Sequence, residues 1–149
     1  MERAPHLLLV EAPYYAHLAA LLREGAERAV AAAGASCEIV SVPGAFEIPP
    51  AIALTAKATA GRFDGFVALG CVIRGETTHY DHICAETARS LQDLAVRDGL
   101  AVGYGILTVE NEAQALVRAA PDGRDKGGEA TRACLALIEL KRRFQGPEA

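Results

Sequence analysis

From Phe66 to Ile73 the chain carries an unbroken apolar run, FVALGCVI, which stops at Arg74-Gly75 and gives way to Glu76-Thr77-Thr78-His79. A run this short, without polar alternation, suits a strand buried on both faces, the kind that a parallel sheet covers with helices above and below. The threonines stand just ahead of a helical pattern, where Thr78 is an N-cap candidate. The local expectation is strand, glycine turn, helix start, with polar side chains gathered at the helix mouth. Free backbone N–H groups and the positive end of the helix dipole meet there, a geometry that binds anions. A histidine ordinarily titrates near about 6.5, so His79 in the first turn suits a general acid or base. The plainer alternatives are an ordinary helix cap for Gly75–Thr78 and a surface histidine for His79.

The same alternation runs through the whole chain. Residues 6–10 and 37–42 are short, apolar or β-branched, and predict two strands. Residues 15–33 between them place Leu18, Leu21, Leu22, Ala26, Ala29 and Val30 at helical spacing, and Gly34 suits the position that closes the helix. Pro49-Pro50 predicts the first turn of a second helix, ending near Gly61. Residues 65–73 are the third strand, and the helix that starts near Thr78 stops at Gly99. Residues 100–109 are a fourth strand, Thr108 is a candidate cap for a helix over 110–119, and a last helix spans about residues 125–144. Strands alternating with helices in this way imply one domain over residues 1–149, with a parallel sheet and right-handed crossovers. Ligands in such sheets bind beyond the carboxyl ends of the strands. The loops of interest are therefore 11–15, 43–50, 74–79 and 108–111.

Hydrophobic residues make up 51% of the chain, which excludes a disordered chain. A net charge of −4 argues against nucleic acid as a partner, but a few local cations suffice for a small anion. No apolar run reaches the length of a bilayer span and the N-terminus shows no secretory h-region, so a cytoplasmic protein without a membrane partner is expected. Cys37, Cys71, Cys84 and Cys134 are scattered, without a CxxC pair, and are read as reduced packing residues. His79, His82 and Cys84 match no common metal spacing, so no metal site is expected.

Several further side chains carry chemistry. Glu47, in the apolar loop VPGAFEIP, suits ligand hydroxyls, or simply the N-terminal end of a helix. Tyr14 suits stacking on a planar ligand, or a partly buried packing role. Arg118 and Lys126 suit a phosphate, or solvated surface positions.

VPGAFEIP (42–49), GCVIRGETTHYDHIC (70–84), GYGILTVEN (103–111), QALVRA (114–119) and DKGGEA (125–130) together resemble the lumazine synthase family over nearly the whole chain. The resemblance implies a flavodoxin-like three-layer αβα sandwich with a four-stranded sheet in the order 2-1-3-4. It implies condensation of 5-amino-6-(ribitylamino)uracil with 3,4-dihydroxy-2-butanone 4-phosphate, releasing phosphate and water without cofactor or metal. His79 is then the general acid/base. Glu76, Thr77 and Thr78 surround the phosphate, and Arg118 is its main cation. Ala45, Phe46 and Glu47 bind the pyrimidine and ribityl chain, Val72 and Ile73 line the pyrimidine pocket, and Tyr14 stacks from the first loop. Tyr104 closes the pocket from a neighbouring subunit, and Lys126 and Glu129 come from the last helix. The family builds pentamers and multiples of pentamers with the site at the subunit interface, and riboflavin synthase is a candidate partner.

Two positions depart from the family pattern. Pro13-Tyr14 stands where an arginine followed by Phe or Trp is common, and Glu76 replaces a small residue. A carboxylate beside a phosphate site weakens anion binding unless Glu76 points away or pairs with a cation such as Arg74. A lumazine or flavin carrier with little turnover, and a shell serving compartmentation, are the alternatives to an enzyme.

Overall fold

The computed structural model describes residues 3–145; the ends of the expected domain, residues 1–2 and 146–149, lie outside them. Four strands, β1 (His6–Glu11), β2 (Ser36–Ser41), β3 (Gly65–Ile73) and β4 (Ala101–Val109), form one sheet in the order β2-β1-β3-β4, with every neighbouring pair parallel. Helices α1 (Ala16–Ala32), α2 (Ile48–Thr59) and α3 (His79–Asp98) make the crossovers, and α4 (Glu112–Ala119) and α5 (Lys126–Gln145) follow the last strand. The expected three-layer arrangement and strand order are both found. β1 and β3 are central and carry the most continuous apolar runs, which parallel strands covered on both faces require.

Two apolar clusters occupy the two faces. Leu7, Leu9, Val67, Leu69 and Leu107 pack with Leu18, Leu22 and Ala26 of α1 and Ala130, Cys134 and Ile138 of α5. Leu8, Val10, Phe66, Ala68 and Ile106 pack with Ile48 and Ile52 of α2 and Leu91 of α3. The period of two along each strand thus sorts its side chains between the layers. Helices α1 and α5 touch backbone to backbone at Gly127, where an added Cβ would lie 2.1 Å from the Leu22 carbonyl oxygen.

Gly34 and Gly99 end their helices in the left-handed region, as expected of that residue. A 3-10 turn, Ala45–Glu47, precedes α2, which begins at Ile48 and holds Pro49 and Pro50 in its first turn, as expected. Two local expectations need correction. Thr78 does not cap α3: its backbone is already helical, and Thr77 Oγ1 instead accepts from the His79 N–H at 3.3 Å. Thr108 does not cap α4, because β4 continues through Val109 in register with Ile73. Asn111 is extended and accepts from the Gln114 N–H at 2.9 Å, while Gln114 accepts from the Glu110 N–H at 2.8 Å.

Candidate active site

At the carboxyl edge of the sheet, three chain reversals meet around a cavity of about 580 Å³. Tyr14 and Tyr15 come from the loop after β1 and the start of α1; Pro43, Gly44, Ala45, Phe46 and Glu47 come from the loop after β2. Cys71, Val72 and Ile73 end β3, and His79 and Ile83 are in the first turns of α3. Parallel topology explains the convergence, since every crossover starts at this edge. The lining is mainly apolar, with Glu47 and His79 as its titratable polar groups apart from the tyrosine hydroxyls and Cys71. Such a surface suits a small, mainly apolar ligand with a few polar groups. Tyr14 is 76% exposed and meets Tyr15 edge to face at 4.9 Å. Burial, with smaller contributions from Cys71, Tyr14 and Glu112, raises the Tyr15 hydroxyl above its ordinary value. Burial pushes the Cys71 thiol up to about 11, which leaves it a packing group.

A second cavity, about 260 Å³, opens at the outer edge of β4. Tyr104, Ile106, Leu107 and Thr108 of that strand line it, with Arg118 of α4, Arg124 of the following turn, and Lys126 and Glu129 of α5. Arg118 Nη1 donates to the Gln114 carbonyl at 3.1 Å, Lys126 lies 3.3 Å from Glu129, and its ammonium sits 5.9 Å from the Tyr104 ring. Burial, then the proximity of Cys84 and Tyr80, raises the Tyr104 hydroxyl. Tyr104 also borders a third hollow, with Ala88, Leu91, Gln92 and Val102.

The expected site residues therefore fall into two groups within one chain. Tyr14, Ala45, Phe46, Glu47, Val72, Ile73 and His79 share the first cavity; Tyr104, Arg118, Lys126 and Glu129 share the second. Glu76, Thr77 and Thr78 line neither and lie exposed on the turn that leads to His79. The expected option of Glu76 pairing with Arg74 is not realised. Arg74 binds Glu110 at 2.7 Å and Asp81 at 3.3 Å and stacks over the Tyr80 ring at 4.3 Å. The hydrogen bond to Glu110 leads in holding that guanidinium's pKa up. Sequence reasoning did not single out Tyr15, Cys71 or Ile83 as lining residues, nor Arg124. A second aromatic beside Tyr14 was the one visible signal for Tyr15.

Among the described residues, no group of three or more His, Cys, Asp or Glu side chains is placed to hold a metal ion. No helix among them is long and apolar enough to cross a membrane.

The fold and the first cavity define an α/β protein with a mainly apolar, ligand-sized hollow at the carboxyl edge of a doubly wound sheet. Comparison with known proteins makes this specific. The family model for 6,7-dimethyl-8-ribityllumazine synthase matches residues 4–142. A protein of that name from Sphingopyxis alaskensis is 55% identical over 139 residues, 93% of this chain and 96% of its own length. One from Agrobacterium fabrum is 52% identical, covering 95% and 98% of the two chains. The 6,7-dimethyl-8-ribityllumazine synthase 1 of Rhizobium meliloti is 55% identical, covering 93% of each. The chain belongs to the 6,7-dimethyl-8-ribityllumazine synthase family.

Proposed function

We propose that the chain condenses 5-amino-6-(ribitylamino)uracil with 3,4-dihydroxy-2-butanone 4-phosphate at a composite site, its first cavity facing the second cavity of a neighbouring copy. The observation that carries this is the division of the assigned residues. The acid/base and the apolar slot lie in one cavity and the cations in the other. β4 is the last strand of the sheet, so among the described residues no strand covers its outer edge, where the second cavity opens. Rings of five or multiples of them, as the resemblance implies, would bring the two cavities together. A cytoplasmic location, and riboflavin synthase as consumer of the product, belong to the same proposal.

On this reading the first cavity holds the pyrimidine between Tyr14 and the ends of β3, with the ribityl hydroxyls against Glu47. The second holds the phosphate against Arg118 and Lys126. The free amine of the pyrimidine attacks the ketone carbonyl, and loss of water gives an imine. Removal of the proton from the hydroxyl-bearing carbon beside the imine expels phosphate with the electron pair of its C–O bond and leaves an enol, which tautomerises to a methyl ketone. The ribitylamino nitrogen then closes the ring on that new carbonyl, and a second water leaves. His79, at the lip of the first cavity, takes and returns the protons, and Arg118 stabilises the departing dianion. Amine and ketone are reactive already, so orientation is the larger contribution and proton transfer the smaller.

Subunit mixing tests the composite site. His79→Ala and Arg118→Ala chains are each assayed alone and then co-assembled in equal amounts, following the lumazine by absorbance. With a shared site, about a quarter of the sites in random mixtures regain both intact halves, and activity rises well above either parent. A site contained within one chain gives no rise.

A further inference from the structure

We propose that Arg124 is a second guanidinium for the phosphate of the ketone substrate, held in the second cavity by the turn between α4 and α5. The inference rests on the composite-site reading given above. Arg124 lines the same cavity as Arg118 and Lys126, giving three cations against the one carboxylate of Glu129. That local excess of positive charge stands out in a chain of net charge −4.

The turn fixes the backbone that carries Arg124, which is itself exposed. The Arg124 N–H donates to the Val117 carbonyl at 3.0 Å, the Gly123 N–H to Ala120 at 2.9 Å and the Asp125 N–H to Ala120 at 3.1 Å. Gly123 lies so close to α4 that a Cβ would stand 2.4 Å from the Val117 carbonyl oxygen. Asp125 then turns the chain with φ of 50°, in the left-handed region that aspartate tolerates better than most residues. Its carboxylate accepts from the Gly128 N–H at 3.2 Å and lies 3.4 Å from Arg132. Asp125 is thus engaged by the helix start and by Arg132, and among the described residues the Arg124 side chain has no ion pair or hydrogen bond. A guanidinium without a protein partner, on the wall of a cationic cavity, is free to meet a phosphate with its planar fork.

The test uses the full-length protein, with inorganic phosphate as a competitive probe against the ketone substrate. Arg124→Gln and Arg118→Gln are compared, with Arg124→Lys as the variant that keeps charge but loses the fork. The expected result for Arg124→Gln is a rise of about threefold to tenfold in both the phosphate inhibition constant and the KM for the ketone. The KM for the pyrimidine amine stays within about twofold, and Arg124→Lys falls between. If Arg118→Gln weakens phosphate and Arg124→Gln does not, the inference fails and the composite-site reading stands. Equal losses for both substrates with Arg124→Gln would mean a structural role and overturn the inference too. If neither variant weakens phosphate, the cavity is not the phosphate site, and both readings fall.

Discussion

Replacing Arg23 with methionine asks how far the geometry of the first cavity depends on one buried carboxylate. Glu11 ends β1 with its side chain 3% exposed, and Arg23 of α1 donates to it through Nε at 2.9 Å and through Nη2 to the other oxygen. The Ser41 hydroxyl, at the end of β2, donates to the same carboxylate at 2.8 Å, and the Glu11 carbonyl accepts from the Val42 N–H at 2.8 Å. One side chain therefore ties the ends of β1 and β2 to α1. The loops leaving those two strands carry Tyr14 and the Ala45–Glu47 turn. The hydrogen bond to Glu11 is the main cause of the raised Arg23 pKa. Arg23→Met leaves the carboxylate buried with Ser41 alone. Breaking a buried pair by removing one partner costs about 3–5 kcal/mol. The Arg23 side chain is 42% exposed and water reaches the pair, so about 2–3 kcal/mol is expected here. For a chain of 149 residues that is a fall of about 4–12 °C in Tm. Glu11→Gln/Arg23→Met should be more stable than Arg23→Met, because no charge is left buried. Thermal unfolding of the parent, both single variants and the double variant decides it. A loss below about 0.5 kcal/mol for Arg23→Met, or a double variant equal to the sum of the singles, refutes the reasoning.

His79→Ala should lower turnover by about 10²–10⁴ and still exceed the protein-free rate; total loss with intact assembly would mean more than proton transfer. Burial opposes ionisation of Asp64, but the His6 N–H, Arg3 and Arg142 outweigh it and hold the carboxyl below its ordinary value. A lowered folded value stabilises above the ordinary carboxylate pKa and is lost as pH falls through the folded one. Asp64→Asn should therefore cost about 1–2 kcal/mol at neutral pH, a gap that closes below about pH 4; a gap constant down to pH 3 would refute this. Burial raises all four thiols, Cys71 to about 11 and Cys134 to about 12. Ellman's reagent should react slowly with the native protein at pH 8 and rapidly with four thiols in guanidinium. A native thiol reacting at the free rate would contradict the burial.

Features decided by neighbouring residues were legible in the chain, and those decided across the sheet were not. The run from Gly65 to Ile73 is a strand at the expected bounds because nearly every residue in it is apolar. Gly99 stops α3 because the left-handed position there is local. Ala45–Glu47 is a three-residue turn, too short to leave a periodic signal. Thr108 lost its capping role to a distant partner, since pairing with Val72 draws it into β4. His79, Glu47 and Tyr14 share a cavity because parallel crossovers bring their loops to one edge, which the alternation of elements already implied. Arg124 carries no such signal. Its place depends on the contact of Gly123 with Val117, which no spacing reveals.

On the composite-site proposal, the distribution of charge accounts for the need of two cavities. Arg74 is the cation nearest in sequence to His79, yet two carboxylates and the Tyr80 ring already occupy it. Glu76 beside it adds negative charge, so against a dianion the His79 turn sets only the N–H groups and dipole of the α3 N-terminus. The first cavity offers Glu47 and apolar surface, which suits an uncharged heterocycle and its hydroxyls and disfavours phosphate. The second offers Arg118, Arg124 and Lys126 against the single carboxylate of Glu129, and no histidine. On the proposed composite site the amine and the phosphorylated ketone are sorted by charge into different halves. They meet only where two copies meet, so water finds the ketone without an activated amine in any isolated chain. Assembly is then a condition of catalysis. A variant kept monomeric by a change outside both cavities should bind each substrate weakly and turn over neither.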